Sequence, residues 1–248
     1  MIRESLIIWK REMIRFLRSK SRLFGSLGTP LFLFLVLGLG LGGVVSFGGV
    51  SYAQYLGPGI LGMVLMTNSI VFGIMIIWDR QFGFLKEMLV APISRLSIMA
   101  GKTLGGMSIS MIQATLMYLV VLLMGTPFPG LLTFVSILLA MALISLGFTA
   151  LGIAIAAKMT DFHGFQIIMN FLIMPLFFLS GAVFPIASIP QWLKIVAYAN
   201  PLTYGVDLLR SLMTGSSVFP ITTDLAVLSG FAILTTLLGT YLFSKSEA

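Results

Sequence analysis

The chain has no cysteine, and that single absence excludes disulfides, cysteine-ligated metal clusters and a thiol nucleophile. Charge is nearly as scarce. Only 9% of the 248 residues are Asp, Glu, Lys or Arg, against about 25% in an average soluble domain. There is one histidine, His163, and acidic residues number 8 against 15 basic ones. No long apolar run carries a charge near its centre, although proton- and sodium-coupled carriers bury one there. Also missing are inverted repeats of broken helices, a potassium-filter sequence, His-Glu-x-x-His and a serine in a nucleophile setting. Gly101-Lys102-Thr103 has the ending of a phosphate-binding loop. That motif needs a glycine where Leu96 stands, and a preceding strand, so no nucleotide site is indicated. If this chain moves something, its energy comes from elsewhere.

What is abundant is apolar. Hydrophobic residues make up 58% of the chain and the mean hydropathy is +1.07, which defines an integral membrane protein. About twenty apolar residues cross a bilayer, and six stretches qualify: residues 23–46, 57–78, 103–124, 131–157, 162–184 and 222–243. Six spans put both termini on one side. Thirteen of the fifteen basic residues fall on that side, leaving only Lys194 and Arg210 on the other. By the positive-inside rule the termini and the loop at 79–102 are cytoplasmic. The net charge of +7 is an orientation and anionic-lipid signal rather than a nucleic-acid one, because it sits beside the spans.

Residues 1–22 hold Arg3, Lys10, Arg11, Arg15, Arg18, Lys20 and Arg22 around an apolar face of Leu6, Trp9, Met13, Phe16 and Leu17. Such a helix lies in the membrane interface. A signal peptide is the rival, but the basic region is too long and no small-residue cleavage site follows. The expectation is one transmembrane domain over residues 1–248, all-α, with this interfacial helix ahead of six spans.

The interval 78–102 concentrates charge between two spans: Asp79, Arg80, Lys86, Glu87, Arg95 and Lys102. A charge at the bilayer centre costs about 2.5–3.5 kcal/mol on the insertion scale, so the interval belongs in water or among headgroups. Phe82, Leu85 and Leu89 recur at helical spacing and Pro92 stops the run, giving a short helix over 81–90. Two readings stand: a rigid handle for a partner, or a loop resting on the headgroups.

Residues 184–214 are too polar to span and too apolar for a free loop. A short helix over 189–199 meets Asn200, a good cap, and Pro201, a good first helical residue. The second helix runs to about Met213, with Leu202, Val206, Leu209 and Met213 on one face and Asp207 and Arg210 spaced to pair. This hairpin, residues 185–214, lies at or dips into the outer leaflet, as a gate or as a structural cap. Elsewhere, the run 38–43 and the pair Gly101/Gly105 offer close-packing faces. His163 beside Asp161 reads as a solvated turn, and Pro175 should kink the fifth span.

Two of these stretches resemble one family. Arg80, Gly83, Leu85, Glu87, Leu89, Pro92 and Arg95 fall on the coupling-loop pattern of type-2 ABC exporter permeases (the ABC-2 type transporter family), with Gln81 where that pattern has an acid. Asn200-Pro201-Leu202-Thr203-Tyr204, then Asp207 and Arg210, is similar to the segment before their last span. Leu179-Ser180-Gly181, Phe184-Pro185 and Pro190-Trp192-Leu193 extend the match upstream. The resemblance implies a permease in the cell membrane that binds no cofactor itself. ATP and magnesium would belong to a separate ATPase subunit, and a second permease copy, identical or similar, would complete the transporter. The implied cargo is lipid-like, drug-like, glycolipid or polysaccharide. Rival classes are a lipid-modifying membrane enzyme and a channel or secondary carrier.

Overall fold

The structure, a computed structural model, describes residues 2–42, 46–47, 50–90 and 93–245. Apart from one antiparallel strand pair, β1 (Ser46–Phe47) with β2 (Val50–Ser51), its regular structure is helical. Helix α1 (Ile2–Leu17) is followed by the helical run α2 (Lys20–Gly42), which includes a π-helical stretch over Phe34–Leu39. Next come α3 (Tyr52–Val71), α4 (Ile74–Gln81) and the short α5 (Phe84–Val90). The remainder is α6 (Arg95–Leu123), α7 (Leu131–Ala157), α8 (Phe162–Phe178), α9 (Gln191–Ala199), α10 (Pro201–Thr214) and α11 (Ile221–Ser244).

Five runs among the described residues are long and apolar enough to cross a membrane: α2, α3 with α4, α6, α7 and α11. The sixth expected span is shorter than its apolar sequence. α8 has 17 residues, roughly 25 Å at 1.5 Å per residue, against a hydrocarbon core of about 30 Å. It ends at Phe178 rather than near 184 because the chain turns through Gly181 at φ +73°, while the Ser180 hydroxyl donates to the Phe177 carbonyl. Other boundaries move for capping reasons. α3 starts at Tyr52, before the expected 57, because Ser51 and Gln54 form a reciprocal capping box. α6 starts at Arg95, before the expected 103, because Ser94 accepts from the Ser97 N–H.

α3 is the centre of the bundle. Together with α4 it forms the run whose apolar stretch is mostly buried, whereas α6, α7 and α11 leave much of theirs uncovered. α7 packs along α11, α3 and α6. Where α3 gives way to α4, the backbone of Gly73 lies directly against that of Gly152 in α7, and a methyl group on either would meet main-chain atoms of the other helix.

α1 differs from its expected form. It ends at Leu17, and Lys20 and Arg22 already belong to α2. Its buried face is Ser5, Ile8, Glu12 and Phe16, whereas Leu6 and Leu17 are exposed. The cause lies in α6: Gly101 and Gly105 leave slots that Ile8 and the Glu12 side chain fill. The Gly101/Gly105 pair is therefore a close-packing face within the chain. Gly38 touches Ala53, while Gly40 and Gly42 have open space, and Gly43 lies outside the described residues.

Candidate coupling face and hairpin site

One end of the bundle gathers α1, the end of α4, α5, the start of α6 and the last residues of α7 and α11. Arg80 donates to the carbonyls of Met159 (2.8 Å) and Ala157 (2.9 Å). These lie at the carboxyl end of α7, where helical carbonyls have no partner of their own, and a cation there also suits the helix dipole. Gln81 continues the grip, donating to the Thr160 carbonyl at 3.0 Å. Its amide uses a donor that an acid could not supply. Arg95 is exposed and donates to the Ser244 carbonyl at the end of α11.

The expected helix over 81–90 is broken at its start. Phe82 ends α4, Gly83 turns the chain at φ +80°, and α5 runs from Phe84. Nothing lies within 4 Å of a Cβ built on Gly83, so what the position needs is its backbone angle and not a close approach. Glu87 is exposed in the first turn of α5. Leu85 and Leu89 lie on α5, their side chains outside the described set, and Pro92 lies outside the described residues. α5 is held to α1 by Arg11, whose guanidinium sits 5.5 Å from the Phe84 ring centroid and donates to the Met88 sulfur.

Beneath this surface is an ion cluster that the sequence reading missed. Lys102 is 1% exposed, and its ammonium bonds to Glu12 at 2.5 Å and to Asp79 as well; these two are 2% and 1% exposed. Arg15 and Arg11 approach Asp79 from the rim at 3.4 and 3.6 Å. Asp79 and Lys102 are therefore not in water, where they were expected, but buried inside the protein. Opposite charges at matching depth on neighbouring helices, with Glu12 between them, remove the need for water. Two signals point to this cluster. Asp79 and Lys102 flank the ends of adjacent spans, and Glu12 follows Ile8 and precedes Phe16 at four-residue spacing. Two further bonds fix α1 to α6, from Ser5 to the Ser97 carbonyl and from Trp9 to the Ser108 hydroxyl, at 3.1 and 3.0 Å.

His163 is exposed at this end. The neighbouring Asp161 accepts from the backbone N–H groups of Gly164 (2.7 Å) and His163 (3.2 Å), capping α8. Those two donors hold its carboxyl below the usual aspartate value.

At the opposite end α9 and α10 form the hairpin. Asn200 caps α10 by accepting from the Leu202 N–H at 3.0 Å, and its amide donates to the Leu176 carbonyl at 2.7 Å. One side chain thus starts α10 and satisfies a carbonyl in the last turn of α8. Pro201 occupies the first turn, and Gly215 closes the helix in the left-handed conformation. Tyr204 donates to the Tyr198 carbonyl and Thr203 to the Ala197 carbonyl, folding α10 back on α9.

Leu202, Val206, Leu209 and Met213 are all buried. α10 packs against α3, α7 and α11, so it sits inside one end of the bundle. Asp207 and Arg210 do not form the expected pair. Both Asp207 oxygens accept from the backbone of the following loop, at Val218 (2.9 and 3.0 Å) and Phe219 (2.8 Å). Arg210 turns toward the Gly181 carbonyl at 2.8 Å, its guanidinium 4.1 Å from the Tyr55 ring centroid. The Tyr55 hydroxyl donates to that same carbonyl at 2.9 Å.

These features define a multi-pass helical membrane protein with a short exposed helix between two long runs and, at the far end, a hairpin whose second helix is buried. A family model described as ABC-2 type transporter matches residues 3–214, so the chain belongs to the ABC-2 type transporter family. Among its relatives, the ycf38 protein of Cyanophora paradoxa is 32% identical over 67% of this chain and 58% of its own length. Nodulation protein J of Rhizobium leguminosarum bv. trifolii is 28% identical over 97% of this chain and 92% of its own. Inner membrane transport permease YadH of Escherichia coli (strain K12) is 25% identical over 91% and 89%.

Proposed function

We propose that the chain is the membrane-spanning permease subunit of an ATP-driven exporter, with ATP and magnesium bound by a separate ATPase subunit. α5 is the coupling helix on the cytoplasmic side, with Glu87 its exposed charged contact. The observation that carries this reading is the continuity behind α5. The Glu12–Lys102–Asp79 cluster joins α1, α4 and α6, and Arg80 joins α4 to α7. A push on α5 is passed to α1 through Arg11, and from α1 and α4 through these contacts to α6 and α7.

The basic end is cytoplasmic by the positive-inside rule. α8, with 17 residues, serves as a short fifth of six spans, and a second permease copy completes the path. The hairpin of α9 and α10 gates the outer end. The apolar surroundings suit an amphipathic cargo of the lipid, drug or glycolipid kind; polysaccharide remains the other family-type cargo. The experiment is affinity purification of the tagged chain from its own membranes, followed by ATPase assay and identification of copurifying subunits. An ATPase subunit that is retained by the wild type and lost with Glu87→Ala supports the reading. Cargo transport by the purified chain alone, without ATP, would overturn it.

A further inference from the structure

At the hairpin end a cavity of about 340 Å³ opens between α9, α10 and the loop after α10. Its lining includes Arg210, Lys194, Ser216 and Ser217, with Ile186 and Val218 as apolar wall. Among the described residues no acidic one lines it. Arg210 is 6% exposed, yet no carboxylate pairs with it among the described residues; its charge rests against the Tyr55 ring and the Gly181 carbonyl, and its Nε has no hydrogen-bond partner. The nearby acid, Asp207, has both oxygens committed to backbone N–H groups. These two residues, Lys194 and Arg210, are also the basic residues that stand apart from the thirteen at the other end.

A buried guanidinium without an anion is costly unless something supplies one. Arginine presents a planar fork of donors suited to carboxylate and phosphate oxygens, and lysine adds a mobile point charge. The two serine hydroxyls donate to an oxyanion equally well. The apolar wall beside them suits a ligand whose charged head continues into hydrocarbon. We infer that this cavity binds a phosphate oxyanion, with Arg210 and Lys194 as its charged contacts and Ser216 and Ser217 as hydroxyl donors. The same chemistry is offered by an anionic phospholipid headgroup and by free phosphate. The site belongs to this chain alone and needs neither ATP nor a partner, so its failure and a failure of the export reading are separable.

The test uses the full chain in nanodiscs of phosphatidylcholine, with and without phosphatidylglycerol, reading retained lipid by native mass spectrometry. Phosphatidylglycerol should be retained over phosphatidylcholine. Lys194→Gln should lower its retention about tenfold, the size of one charge-assisted hydrogen bond. Arg210→Gln should lower it at least as far, and Lys194→Gln, on a half-buried residue, keeps the test valid if the buried variant does not fold. Lys10→Gln, at the other end, should leave this component unchanged. Competition by millimolar inorganic phosphate assigns the site to the free anion, and its absence assigns it to the lipid headgroup. Equal retention of the two lipids by the wild type, with no phosphate adduct on the chain at millimolar inorganic phosphate, would overturn the inference. So would an equal loss with Lys10→Gln and Lys194→Gln, since that is bulk electrostatics.

Discussion

Lys102 and Glu12 meet at 2.5 Å with both side chains buried, joining the helix that opens the chain to the first third of α6. Lys102 simultaneously holds Asp79 at the end of α4. Removing the lysine alone leaves two buried carboxylates. Arg15 and Arg11 still reach Asp79 at 3.4 and 3.6 Å, whereas Glu12 keeps only Arg11 at 3.8 Å, so Glu12 bears most of the damage. Lys102→Met should destabilise the protein by about 3–5 kcal/mol, the usual result of breaking one side of a buried pair. Adding Glu12→Gln should recover part of that loss. Thermal unfolding in detergent reads both, and a Lys102→Met variant as stable as wild type would refute the role given to the cluster.

The break at Gly83 makes a second prediction. A leucine there must adopt φ +80°, which costs an L-residue roughly 1–2 kcal/mol; asparagine tolerates that region better. Gly83→Leu should insert normally but misalign α5, reducing ATPase retention or cargo-stimulated hydrolysis, while Gly83→Asn should fall between it and wild type. Open space around the site means that a steric clash predicts no such order. Equal effects of leucine and asparagine would argue against the backbone explanation.

Asn200 serves two partners, and substitutions separate them. Asn200→Asp keeps an acceptor for the Leu202 N–H but loses the donor to the Leu176 carbonyl; Asn200→Ala loses both. The alanine variant should lose about 0.5–2 kcal/mol for the cap, with export reduced and ATPase association intact. The aspartate variant should keep α10 and loosen its tie to α8. Hydrogen exchange over residues 201–214 distinguishes them: faster exchange in both to the same degree would make the cap irrelevant.

Topology is open to direct measurement because the chain has no native cysteine. Glu87→Cys should react with an impermeant maleimide only after the cytoplasmic face is exposed, and Lys194→Cys only from outside. Reaction of both from the same face would reject the six-span arrangement.

Much of this architecture is written in local patterns. The long apolar runs follow from hydropathy, and the α9–α10 hairpin from Asn200-Pro201 and the spacing of Leu202, Val206, Leu209 and Met213, whose burial depends on that spacing. Tertiary choices were harder to read. Asp207 and Arg210 sit three residues apart, yet the loop N–H groups of Val218 and Phe219 and the Gly181 carbonyl compete for them more effectively. The inward face of α1 was set by glycine slots in α6, ninety or so residues away in the chain, which no pattern within residues 1–22 reports. Gly83 was recognisable as special, but its positive φ was not visible without the backbone.

The burial of α10 bears on leakage and selectivity together. Any conduit that opens along it must uncover Leu202, Val206, Leu209 and Met213, now packed against neighbouring helices. Each such side chain carries about 1.5–3 kcal/mol of burial, so the empty membrane protein is sealed by its own packing against ions and water. On the export reading, a passenger with an apolar surface would replace the lost contacts as it moved past, and a hydrated sugar chain would not. The packing of α10 would then be a toll on wet cargo and a lubricated bearing for greasy cargo.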